Sequence, residues 1–491
     1  MSSLNQATLS QLPASVGRPN YDRSSLTAGI VHFGVGGFHR AHQAMAIDRL
    51  LNAGLAKDWA ICGVGLLEGD RRMAQAFAAQ DNLFTLVLKN PDGTTDARVI
   101  GSIVEYIFAP DDPQLLLAKL ASPETRLVTL TITEGGYNFD RVTGEFDFSN
   151  PAVAADLAPG AVPTTAFGYI VEALRIRRER GLEPFSVLSC DNIPSNGHMA
   201  HQVFTAFAIR KDPALGEFVS SSVKFPNSMV DRITPVTTPA DVELAKSLTG
   251  LDEAWPVVAE PFFQWVIEDD FTLGRPPLEK VDVQFTGDVL PYELMKLRLL
   301  NASHQGMCYF GYLSGYRFAH EAMADPVLSR FLRRYMDEEG TPTLPPLPDV
   351  DLDNYKDVLI ERFSNPHVKD TLARLCAESS DRIPKWLIPV VREQLTHGGQ
   401  VKLSAAIVAS WARYAEGVDE AGEPIEVVDP LKDELVPIAK TQRQNPLAFI
   451  QNRKLFGDLA ENPVFAGAYL EALNSMFEVG AHQTLVNLTN A

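Results

Sequence analysis

Apolar positions along the chain fall into two regimes. Up to about residue 286, short apolar runs alternate with stretches of helical spacing. Residues 29–34 (GIVHFG) and 59–66 (WAICGVGL) predict buried strands, and residues 40–51 (RAHQAMAIDRLL) between them carry apolar side chains at helical intervals. The runs 83–88, 126–132, 184–189 and 280–286 continue the strand pattern, with helical segments such as 114–120 and 165–180 between them. This alternation predicts a mostly parallel, doubly wound sheet. From about residue 290 the strand signals stop. Residues 291–316, 326–336, 355–362, 367–377, 384–395, 403–415 and 465–477 have helical spacing, and 341–351 form a proline-rich connector. The first thirty residues read as a loose leader. The expectation is an α/β domain over residues 1–286 followed by a mainly α-helical domain over 287–491.

Composition narrows the class. At 45% hydrophobic and 21% charged the chain reads as globular, and no apolar run approaches the roughly 18 residues a membrane helix needs. The polar N-terminus lacks a basic-then-apolar export signal. Cys62, Cys190, Cys308 and Cys376 are scattered, which suggests neither a disulfide framework nor a zinc cage and fits a reducing cytoplasm. A net charge of -19 disfavours nucleic acid. No segment marks an assembly surface, so a monomer or small homo-oligomer is expected.

The first strand runs into Gly34-Val35-Gly36-Gly37-Phe38-His39 and then a helix. Glycines here let the backbone turn sharply and approach a pyrophosphate, and the helix N-terminus attracts the anion. His39 stands where the usual fingerprint has its third glycine. The reading is a Rossmann-type turn binding NAD or NADP; the alternative is a tight turn that only packs the helix. At the end of the second strand, Asp70 or Glu68 could bond the ribose hydroxyls and exclude a 2′-phosphate, whereas Arg71 and Arg72 could welcome one.

The segment 292–304 (YELMKLRLLNASH) is the richest in chemistry. On an α-helix at about 100° per residue, Lys296, Asn301 and His304 fall within a wedge of about 140°. Alcohol oxidation needs a base for the hydroxyl proton and donors for the developing alkoxide. A lysine serves as base when burial lowers its pKa. The alternative is a snorkelling lysine with Asn301 and His304 bonded locally. Tyr292-x-x-x-Lys296 imitates the pair of short-chain dehydrogenases, but here it follows the whole α/β domain. Asn192 in 189–194 (SCDNIP) and Glu134 in 133–137 (TEGGY) follow strand ends, where doubly wound sheets place ligands. Asp231 lies in a further polar segment, 230–235 (VDRITP). Two H-x-x-H pairs, His39 with His42 and His198 with His201, lack a longer metal-binding frame, so no metal is expected.

The ordered set GIVHFGVGGFHRAHQA, WAICGVGL, TLTITEGGY, SCDNIP, FPNSMVDRITP, WPVVAEPFFQWVIED and PYELMKLRLLNASH closely resembles the polyol-specific long-chain dehydrogenases along essentially the whole chain. The resemblance implies metal-free transfer of a hydride between NAD and C2 of a sugar alcohol such as mannitol, giving a 2-ketose such as fructose. It implies Lys296 as general base, Asn192 and Asn301 as the pair holding the reacting oxygen, His304 as substrate-orienting residue and Glu293 as proton exit. It also implies Asp70 as the acid that selects NAD, with Asp231, Arg374 and Arg382 at the substrate. Arabinitol and sorbitol dehydrogenases and hexuronate reductases share the family. A hexuronate enzyme needs a cation, which Arg374, Arg382 or Lys385 could supply. A redox sensor without catalysis is the reading from another class.

Overall fold

In a computed structural model the chain divides into two compact units, Met1–Val289 and Leu290–Ala491; residues 2–139 and 145–490 are described. Among them the first unit carries eleven strands: β1 Ile30–Phe33, β2 Ile61–Gly65, β3 Phe84–Lys89, β4 Thr95–Ile100, β5 Ile103–Phe108, β6 Leu127–Leu130, β7 Ser186–Ser189, β8 Ser228–Asp231, β9 Val257–Ala259, β10 Gln264–Glu268 and β11 Gln284–Thr286.

Five of them form one sheet in the order β5-β2-β1-β6-β7. Every pairing is parallel, with Ile30 opposite both Ile61 and Leu127. Helices on both faces bury β1, β2, β6 and β7 at every position. Two-sided burial explains why these strands read as unbroken apolar runs. From β1 the chain steps outward to β2 and β5 on one side, then to β6 and β7 on the other. The order therefore reverses between β1 and β6, and a crevice opens at their carboxyl ends. This is the Rossmann arrangement the alternation predicted.

Three sequence expectations are corrected. The run 83–88 is not in the parallel sheet. It becomes β3, paired antiparallel with β4 across a turn at Asn90–Thr94 and parallel with β9. The turn residues Asn90, Pro91, Asp92 and Gly93, the last at φ +84, favour such a hairpin. The run 280–286 is broken by Asp282 at φ +68, and only its end is strand, in the sheet β11-β10-β8. The leader is not loose: Leu4, Leu9, Leu12 and Val16 are buried against Leu83, Val87 and Val258.

The second unit is helical, and no strand occurs among its described residues. Its most enclosed helix, Lys402–Tyr414, is buried at every position after Lys402. Val401 at its N-cap offers no side-chain acceptor, so a distant acid supplies one. Glu339 accepts from Leu403 N (2.6 Å), Ser404 N (2.7 Å) and the Ser404 hydroxyl. Burial raises the Glu339 carboxyl to about 7 against those bonds. Among the described residues no helix is long and apolar enough to cross a membrane.

Candidate active site

The loops leaving the carboxyl ends of β1, β2, β6 and β7 carry the N-terminal candidates. After β1, Gly34 adopts φ +92, and a Cβ there would sit 2.1 Å from the Thr131 carbonyl oxygen. Only glycine closes this turn against β6. Gly36 is exposed, with nothing nearer its would-be Cβ than 3.9 Å. Gly37, Phe38 and His39 open the short helix Gly37–Ala41, whose first N–H groups have no intrahelical acceptor. A bare, side-chain-free cradle of amides is what a pyrophosphate requires, so these residues fit a dinucleotide.

His39 turns the other way. Its imidazole is 1% exposed, stacks on His32 with centroids 3.3 Å apart, and meets Gln43 at 3.2 Å. Burial and His32 hold its pKa well below the usual histidine value, so it is neutral. Any contact it makes with a ligand in the turn comes from its main chain. His32 bonds the Thr129 and Thr131 hydroxyls at 2.7 and 2.9 Å, and burial lowers it to about 3.

After β2, Asp70 Oδ2 accepts the Leu66 and Leu67 N–H groups, both at 2.9 Å. Gly65 permits this turn, because a Cβ there would lie 2.5 Å from the Tyr106 hydroxyl and 2.8 Å from Asp70 Cβ. Arg71 is held by Glu68 and by Asp111 (3.1 Å), and Arg72 lies over the Trp255 ring.

After β6 and β7 the organising residue is one the sequence reading passed over. Asp191 is 6% exposed. Its carboxylate accepts from Ile132 N (3.1 Å), Thr133 N (2.8 Å) and the Tyr137 hydroxyl (2.8 Å). It thereby ties the β7 end, which carries exposed Asn192, to the β6 turn, which carries half-buried Glu134. Thr133 sits at φ +63, a conformation costly for a β-branched residue, and these bonds hold it there. Burial raises the Asp191 carboxyl to about 6 while the hydrogen bonds pull it down. The signal available was an acid directly after a fully apolar strand. Beside β7 runs β8: Val187 N bonds Lys224 O at 2.9 Å, and Ser228 Oγ bonds Ser189 O at 2.6 Å. Asp231, three residues further on at the end of β8, is 5% exposed.

The C-terminal candidates share one segment whose geometry differs from expectation. It is α-helical over Leu290–Met295, π-helical over Lys296–Asn301 and α-helical again over Ala302–Leu313. Bonding from i+5 to i gives about 4.4 residues per turn, or about 82° per residue. Lys296 and Asn301 then lie about 50° apart instead of 140°, and Lys296, Asn301 and His304 share a wedge of about 60°. The π-turn thus gathers the three more tightly than an α-helix would. Lys296 and Asn301 are 7% and 4% exposed, and His304 lies against Phe363 at 4.5 Å. Glu293, one turn before Lys296, is half-buried. The turn has its own support. Fully buried Tyr335 donates its hydroxyl to the Arg298 carbonyl at 3.0 Å, and a Cβ on Gly340 would meet Leu299 at 2.8 Å. Both belong to a second π-helix, Tyr335–Gly340, which nothing in the apolar spacing signalled.

Arg374 and Arg382 are already engaged. Arg374 forks onto Asp370 at 2.7 and 2.6 Å, and Arg382 donates to the Arg374 and Leu375 carbonyls at 3.2 and 3.1 Å. Among the described residues no group of three or more His, Cys, Asp or Glu side chains could hold a metal ion.

Residues 28–280 match the mannitol dehydrogenase Rossmann domain and 288–477 the mannitol dehydrogenase C-terminal domain. A mannitol 2-dehydrogenase from Phaeosphaeria nodorum is 43% identical over 486 residues, covering 98% of this chain and 85% of the relative. The structure of Pseudomonas fluorescens mannitol 2-dehydrogenase in ternary complex with NAD and D-mannitol matches with a TM-score of 0.89 at 44% identity, covering 99% of each chain. A substrate-free D-sorbitol dehydrogenase matches at 0.92 and 38% identity, covering 98% of this chain and 100% of that one. With both domain models matched in order and full-length relatives above 40% identity, the chain belongs to the mannitol dehydrogenase family.

Proposed function

We propose that this protein is an NAD-dependent polyol dehydrogenase that oxidises mannitol at C2 to fructose, reversibly, with Lys296 as base and without a metal. The observation that carries the chemistry is the wedge of buried Lys296 and Asn301 on a π-turn, with His304 on the α-helix that follows it. The relatives carry the substrate class, being named for mannitol and, at lower identity, for sorbitol.

The first unit is the cofactor domain and the second the catalytic domain. The Gly34–His39 turn holds the pyrophosphate through main-chain amides, Asp70 takes the ribose hydroxyls, and Glu134 sits beside the cofactor. Bound NAD supplies the acceptor for the hydride leaving C2. Neutral Lys296 takes the hydroxyl proton. The Asn192 and Asn301 amides donate to the oxygen as charge develops, the role of an oxyanion hole. His304 orients the substrate hydroxyls, Asp231 accepts from them, and Glu293 passes the proton from Lys296 to solvent. Arg374 and Arg382 contact the substrate, and the bonds to Asp370 and to the Arg374 and Leu375 carbonyls fix where the two guanidinium groups sit.

The test is NADH formation by purified protein with NAD and EDTA on mannitol, sorbitol, arabinitol, mannonate and altronate. Fast turnover of mannitol is expected. Turnover of the aldonates alone would move the protein to the hexuronate branch, and no turnover with NADH still bound would make it a non-catalytic sensor.

A further inference from the structure

Arg71 occupies the place where a doubly wound fold reads the 2′ position of the ribose, just after β2 and directly following Asp70. A free guanidinium there would fork onto a 2′-phosphate, yet this one is leashed at all three nitrogens. Nε and Nη2 bond the two oxygens of Glu68, and Nη1 bonds both oxygens of Asp111, at 3.1 and 3.3 Å. The planar group also lies over the Phe108 ring at 4.5 Å, which fixes its orientation. Glu68 comes from the β2 loop and Asp111 from the loop after β5, so both loops at this edge of the crevice contribute one carboxylate. With Asp70 the cluster sums to three acids against one arginine. We infer that Glu68 and Asp111 are cofactor-specificity residues: they hold Arg71 away from the 2′ position and surround that position with negative charge, so the site rejects a 2′-phosphate although it contains the residue able to bind one. This rests on the dinucleotide reading of the Gly34–His39 turn.

Glu68 and Asp111 are 71% and 63% exposed at their side chains, so truncating them leaves the core untouched. The experiment measures Kd for NADH and NADPH by nicotinamide fluorescence, and for 2′,5′-ADP by calorimetry, in wild type, Glu68→Ala/Asp111→Ala, and that double variant with Arg71→Ala added. The inference expects the double variant to bind NADPH and 2′,5′-ADP at least tenfold tighter than wild type, and Arg71→Ala to erase most of that gain. An unchanged NADPH Kd in the double variant overturns it. So does a gain that survives Arg71→Ala, because loss of negative charge alone would then explain it. Wild type that binds neither NADH nor NADPH would overturn the dinucleotide reading itself, and the inference with it.

Discussion

Replacing Asp191 by asparagine tests how the crevice is built. The native carboxylate uses Oδ1 for Thr133 N–H and Oδ2 for Ile132 N–H and the Tyr137 hydroxyl. Asparagine has one acceptor oxygen, so one buried N–H faces an NH2 group, at a cost of about 1–3 kcal/mol. An opposing effect comes from charge. The folded carboxyl is raised from 3.8 to about 6 by burial, so the folded state holds its proton more tightly than the unfolded chain does. Stability from this group is full below pH 3.8 and is lost as pH rises through 6. At 1.36 kcal/mol per unit, the ionised group costs about 3 kcal/mol at pH 8 and about half of that at pH 5. The asparagine side chain is neutral throughout. Relative to wild type, Asp191→Asn therefore gains on the order of 1 kcal/mol between pH 5 and pH 8. Urea unfolding of both proteins at the two pH values reads this difference on the transition of the N-terminal unit. The weakened hold on Thr133 should also raise the NAD Kd about threefold to tenfold, the equivalent of roughly 0.7–1.4 kcal/mol. A stability difference independent of pH, together with an unchanged Kd, would refute the argument.

Two further changes probe the same scaffold. Gly34→Ala places a methyl group against the Thr131 carbonyl at a positive φ; it should cost at least about 3 kcal/mol and abolish NAD binding, as thermal melting and cofactor titration would show. Tyr335→Phe removes the donor to the Arg298 carbonyl; it should cost about 1–2 kcal/mol and lower kcat several-fold while leaving the NAD Kd unchanged, because the loss is confined to the π-turn under Lys296.

Four strands of the parallel sheet, β1, β2, β6 and β7, were legible because both their faces are covered, which makes them continuous apolar runs with a glycine turn after the first; the edge strand β5 was not, because its middle positions are only partly buried. The smaller strands were not: β4, β8 and β10 mix polar and apolar positions, and β8 and β10 find each other across more than thirty residues of chain. The leader misled because Leu4, Leu9, Leu12 and Val16 follow neither a helical nor a strand period, yet each finds a site on the β3–β4 sheet. In the helical domain, apolar spacing located most helices but could not distinguish π from α over six residues, since a slip of one residue in bonding barely alters the pattern. That slip decides how closely Lys296 and Asn301 approach. Asp191 escaped notice because a buried acid announces itself only through its partners, three groups some 54 to 59 positions away in the chain.

The most direct test of the account is the pH dependence of kcat/KM for NAD-dependent mannitol oxidation in wild type and Lys296→Met, with NAD affinity measured alongside. A lysine accepts a proton only when neutral, so wild-type activity should rise with pH. The variant should lose about 10²–10⁴-fold in turnover, and the pH dependence with it, while still binding NAD. A variant that binds NAD normally and keeps most of its turnover would contradict the assignment of Lys296 as the base.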